Sequence, residues 1–109
     1  MFRVSCVQLN SNDNIQQNFE STKKEILKAV KQKSDLIITP EISSLFSLDK
    51  KKLLKICRPM NKDIYLDGIK QLAKKYKKWI LVGSVIIKIS KKKLVNRSVL
   101  INDKGLIKS

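Results

Sequence analysis

One carboxylate stands where chemistry would be best served. Glu41 follows the apolar run Leu36-Ile37-Ile38 through Thr39 and Pro40. If that run is a parallel strand, the carboxylate lies at its carboxyl end, where ligands of open α/β sheets gather. A carboxylate partly withdrawn from water there can act as a general base. On position alone, the plainer explanations outweigh that role: a solvated loop Glu, or a charge at the start of a helix. The other reactive groups are two thiols. Cys6 sits inside an apolar run and Cys57 beside Ile56, and both read as small buried hydrophobes rather than as nucleophiles or a disulfide. The chain has no His, so a zinc site would have to be built almost wholly from carboxylates, and neither metal nor cofactor is expected.

The background to these residues is strongly basic: 24 Lys and Arg against 9 Asp and Glu in 109 residues. Such a balance raises the prospect of a nucleic-acid partner, since clustered cations neutralise phosphates and release counterions. The composition argues against it. Only Arg3, Arg58 and Arg97 are arginines, whereas base readout and bidentate phosphate clamps favour Arg, and the aromatic residues show no stacking pattern. Most of the lysines therefore read as solvated faces. The length fits one domain. The apolar runs are far below the roughly 20 residues that a membrane span needs, and the start of the chain does not resemble a signal peptide. No membrane partner and a cytoplasmic location are expected.

Glu41 needs elements to hold it, and periodicity supplies them. Residues 2–9 read as a strand, with Phe2, Val4, Cys6 and Gln8 on one side and Arg3, Ser5, Val7 and Leu9 on the other. Over residues 14–33, Ile15, Phe19, Ile26 and Val30 recur at helical intervals opposite Lys23, Lys24, Lys28 and Lys31, with Asp13 as a plausible N-cap. Leu36-Ile37-Ile38-Thr39 reads as a strand covered on both faces, and Pro40 ends it. Strand, helix and strand make a βαβ unit with parallel strands, which sets the class as α/β. Residues 42–48 read as loop, and Asp49 caps a short basic helix through Cys57 that Arg58-Pro59 interrupts. In the next helix Ile64 or Tyr65, Ile69, Leu72 and Tyr76 form the stripe, and Gly68 weakens it. A strand opens at Trp79, is interrupted at Gly83-Ser84 and resumes through Ile89. Residues 94–102 return antiparallel to it, and Asp103-Lys104-Gly105 turns toward a further strand.

Several of these segments together resemble a known family. Cys6-Val7-Gln8-Leu9 comes first, followed by the spaced Asn14 and Asn18 and then by Asp35-Leu36-Ile37-Ile38-Thr39-Pro40-Glu41. Leu81-Val82-Gly83-Ser84 and the stretch from Asn96 to Gly105 complete the order. This succession resembles the amino-terminal part of the carbon–nitrogen hydrolase (nitrilase/amidase) family, everywhere except residues 43–61. The resemblance implies the amino-terminal part of a four-layer α-β-β-α sandwich, with element order β-α-β-α-α-β-β, so residues 1–109 would be a single incomplete domain.

In that family a Glu, a Lys and a Cys hydrolyse amides, nitriles or N-carbamoyl compounds, and by motif Glu41 is the base. The family's Lys follows the Gly turn within a segment that reads roughly Tyr-Arg-Lys-hydrophobic-His-Leu, and its Cys lies on a later strand-to-helix turn. Neither motif is present in these 109 residues. Lys104 and Lys108 precede the Lys motif, and Cys6 and Cys57 do not match the nucleophile. Asn96 matches a hairpin position for which a structural hydrogen bond is expected. The resemblance thus implies a truncated homologue that is inactive alone. The alternatives are a split-enzyme subunit, completed in trans by a second chain and then acting on a small amide or nitrile, and a basic nucleic-acid-binding module. The sheet's inner face is expected to be incompletely covered.

Overall fold

The computed structural model describes residues 2–41, 47 and 49–108. The observed order is β1 (Val4–Cys6), α1 (Ile15–Lys31), β2 (Leu36–Ile38), α2 (Lys50–Ile56), a 3-10 turn (Met60–Lys62), α3 (Ile64–Tyr76), β3 (Trp79–Ser90) and β4 (Lys93–Ile101). This is the anticipated α/β succession. The loop expected over residues 42–48 lies outside the described residues, apart from Ser47. No helix among the described residues is long and apolar enough to cross a membrane.

The four strands form one sheet in the order β1-β2-β3-β4. β1, β2 and β3 run parallel, and β4 returns antiparallel to β3. Helices α1 and α3 cover one face, and the core lies between them and the strands. Ile37, Ile80 and Ile101 share a register row and are fully buried, as are Val82 and Val99 in the next row. From the helices come Ile26, Ala29, Tyr65, Leu66, Ile69, Leu72 and Ala73. Burying each of the larger aliphatic side chains contributes about 1.5–3 kcal/mol before chain entropy is counted, and a smaller cluster of Leu53 and Cys57 packs with Ile15, Ile56, Ile86 and Leu94.

Local chemistry explains the element boundaries and several departures from expectation. The N-cap of α1 is Asn14 rather than Asp13. Asn14 has extended backbone angles, and its side chain accepts a hydrogen bond from the Gln17 amide at 3.0 Å. Asp13 is one residue too early to reach that amide, and it pairs with Lys52 instead. Asn18 is buried and completes the entry, exchanging hydrogen bonds with the Asn12 amide and carbonyl at 3.0 and 2.7 Å. Asp49 caps α2 as expected, accepting from the Lys51 and Lys52 amides. β1 is shorter than residues 2–9, and its outward residues Val4 and Cys6 are exposed. In α3 the stripe takes Tyr65, while Ile64 is 57% exposed. Gly68 is there for space: a Cβ would lie 2.3 Å from the Phe19 ring, which closes edge-on against Tyr65 with centroids 6.1 Å apart. The Tyr65 hydroxyl in turn shares a 2.7 Å hydrogen bond with Thr22.

Candidate functional site

The carboxyl ends of β1 and β2 form a rim beside the middle of β3, and Glu41 lies on it, three residues past the end of β2. Its approach is tightly defined. Ile38 accepts from the Val7 amide at 2.9 Å, and Thr39 donates its own amide to Leu81 at 2.9 Å. Thr39 is buried, and its hydroxyl accepts from the Gly83 amide at 3.0 Å. On the far side of β3, Ser98 donates its hydroxyl to the Gly83 carbonyl at 2.6 Å. The β3–β4 register shifts between Val82 and Val85, so the strand that was expected to break at Gly83-Ser84 instead runs through with a bulge. At the bulge both backbone groups of Gly83 are satisfied by side chains, Thr39 just past the end of β2 on one side and Ser98 of β4 on the other.

Gly83 also sets how closely the chain can pass. A Cβ at this position would lie 2.1 Å from the Thr39 carbonyl oxygen and 2.6 Å from that of Pro40. Only glycine lets the Thr39-Pro40 segment lie against β3, and Glu41 follows immediately. The importance of this contact was not apparent from the sequence; its signal was a glycine interrupting an apolar strand, which commonly marks a bulge or a close backbone approach. The Glu41 side chain is exposed, so the described residues do not wall it off from water. Asn96 is exposed and lies opposite Ile86 in the hairpin.

The thiols divide. Cys57 is buried, and desolvation pushes its thiol above the ordinary value, which disfavours the thiolate. Cys6 is exposed, contrary to the expectation of a buried thiol, because it points to the sheet face opposite the helices. That face is apolar. Val4, Leu36 and Trp79 form one register row, and Cys6, Ile38, Leu81 and Leu100 the next. Each of these side chains is exposed or half-buried, with Val4 at 49% and Trp79 at 38%. The strand identified as covered on both faces is thus covered on one: Ile37 is buried, whereas Leu36 and Ile38 are half-buried.

A family model described as carbon-nitrogen hydrolase matches residues 3–109. No curated protein matches the chain. Among solved structures, the C. elegans NitFhit protein superposes with a TM-score of 0.88 at 22% identity, over 100% of this chain and 28% of that one. An N-terminal amidase with a Gln-Gly peptide gives 0.82 at 20% identity, over 99% of this chain and 26% of the other. An amidase from Nesterenkonia sp. gives 0.82 at 15% identity, over 99% and 41%. The chain therefore spans well under half the length of each of these proteins, and at these identities the likeness is one of fold.

Proposed function

Because the chain belongs to the carbon–nitrogen hydrolase family, we propose that these 109 residues carry the general base of an amide- or nitrile-hydrolysing site, Glu41, and do not turn over substrate alone. The reading is supported by one observation above all: a carboxylate on the carboxyl-end rim of a parallel sheet, on a segment held against Gly83. In the completed site Glu41 takes the proton of an attacking thiol and later activates water, while a Lys stabilises charge developing on the substrate heteroatom. Neither Cys57, buried with its thiol pushed up, nor Cys6, on the opposite sheet face, is offered as that nucleophile. A base without a nucleophile has nothing to activate, and such groups act as a unit. Purified protein given a panel of simple amides and nitriles is expected to release no ammonia above buffer. Release that disappears in Glu41→Gln would refute the incompleteness of the site.

The open apolar face favours a second reading, in which the missing groups arrive on a complementary chain that covers Leu36, Ile38, Trp79 and Leu81. Such a face, one full layer of a sheet, matches the more apolar core of an obligate interface better than a solvated surface. Trp79 is the only Trp in the chain and reports on it. Docking of the complement is expected to shift its emission to the blue and to bring amide hydrolysis that Glu41→Gln removes. Hydrolysis that appears with no change at Trp79 would dismiss this mode of docking.

A further inference from the structure

Beyond the rim, the β3–β4 hairpin continues past the end of β2, and the chain between α2 and α3 runs along its edge. The Lys88 amide donates to the Arg58 carbonyl at 3.1 Å. The wall is fixed from two further directions. One guanidinium nitrogen of Arg58 donates to the Lys55, Ile56 and Cys57 carbonyls at 2.7, 3.1 and 3.2 Å, and the Lys88 ammonium donates to the Leu54 carbonyl at 2.8 Å. These bonds satisfy the carbonyl end of α2 and leave a cavity of about 510 Å³ between wall and hairpin. That volume falls within the roughly 300–1,000 Å³ of small-molecule sites.

Its lining has two chemistries. Met60, Ile87 and Ile89 give an apolar floor, Ile89 being 48% exposed. Arg58, Lys91 and Arg97 give a cationic rim, and no acidic residue among the described residues lines the cavity. Both Lys91 and Arg97 are exposed, Lys91 in the turn of the hairpin and Arg97 on β4. Purely apolar ligands leave the cations unused, and bare inorganic anions leave the floor wet. The complementary ligand has an anionic head and a short apolar tail.

From this pairing the geometry points to a binding site for a small amphiphilic carboxylate, its tail against Met60, Ile87 and Ile89 and its head at Arg97 and Lys91. The planar guanidinium of Arg97 suits a carboxylate bidentately, and the hydrogen-bonded wall limits the ordering cost of binding.

Titration of the purified chain with octanoate, followed by calorimetry and by amide chemical shifts, tests this. Saturable binding is expected, with shifts at Met60, Ile87 and Ile89 and none in Trp79 emission. Arg97→Gln, an exposed position whose folding is checked by circular dichroism, should weaken octanoate about tenfold. Octanol of the same tail length should fail to saturate, and inorganic phosphate should not displace octanoate. The site is overturned if octanol binds as tightly or if phosphate competes. It is equally overturned if folded Arg97→Gln binds unchanged, or if the shifts centre on Trp79 and the open sheet face.

Discussion

At the scale of single residues, Asp63 and Gly83 hold this fold to its shape. Asp63 caps α3, accepting from the Leu66 amide at 2.9 Å, yet it is buried, and burial pushes its carboxyl above the ordinary value of 3.8. The native state therefore holds that proton more tightly than the unfolded chain. The associated stability is fully present below the ordinary carboxylate value and is lost as pH rises through the raised native one. Asp13 carries the opposite sign. Its pairing with Lys52 lowers its pKa, so its contribution is present above the ordinary value and is lost as pH falls through the lowered one. Asp63→Asn keeps an acceptor and sheds the charge. Denaturation between about pH 3 and 7 should show the variant's stability gain growing toward neutrality, whereas Asp63→Ala loses the cap, about 1 kcal/mol. A stability gain that shrinks as pH rises would contradict the role assigned to burial. Gly83 holds the rim in a different way. With the Thr39 and Pro40 carbonyls where a methyl group would go, Gly83→Ala should cost about 2–4 kcal/mol, the range of severe overpacking. A midpoint in urea close to that of the parent would show that the Glu41 segment is not held there.

At the scale of elements, the helices and strands were legible because apolar spacing and capping chemistry agree. The stripe of α3 and the Asp49 cap of α2 stand where periodicity put them. The choice between neighbouring caps was not legible: Asn14 stands at the right distance to accept from the Gln17 amide, while Asp13 pairs with Lys52, a residue 39 positions away. Nor was the bulge, since the hydroxyls that stand in for ladder partners at Gly83 come from distant parts of the sequence, Thr39 just past β2 and Ser98 in β4. Both long helices end in an unusual way. Lys33 and Lys77 take left-handed backbone angles, with φ of 61° and 55°, at positions where Gly is the common choice. The Ser34 amide still returns to Ala29 and the Lys78 amide to Ala73, so the turns are well formed and the strain lies in the side-chain-bearing residue. Lys33→Gly and Lys77→Gly should each stabilise the chain by about 0.5–1 kcal/mol, offset in part by the unfolded-state entropy of glycine. Thermal melts of the single and double variants check this, and a loss in either would mean that the lysine makes compensating contacts.

At the scale of the whole molecule, the sheet has one face inside and one outside, and adjacent residues of β3 test the difference. Ile80 is fully buried toward α1 and α3, whereas Leu81 lies half-buried on the open face between Ile38 and Leu100. The period of two along a strand separates their fates. Ile80→Thr should cost about 2–5 kcal/mol, as removal of core volume does, while Leu81→Thr should cost about 1 kcal/mol or less. Association should respond in the reverse order. A formal charge of +15 opposes self-contact at low ionic strength, but the two open rows hold apolar side chains and a thiol with no charged group among them. Salt screens the repulsion over about 8 Å at 0.15 M and leaves apolar attraction intact. Light scattering should therefore rise with salt in the parent and rise less in Leu81→Thr. If instead Leu81→Thr unfolds the chain as readily as Ile80→Thr, the second face is as closely packed as the first, and both the open sheet and the docking of a complementary half upon it are lost.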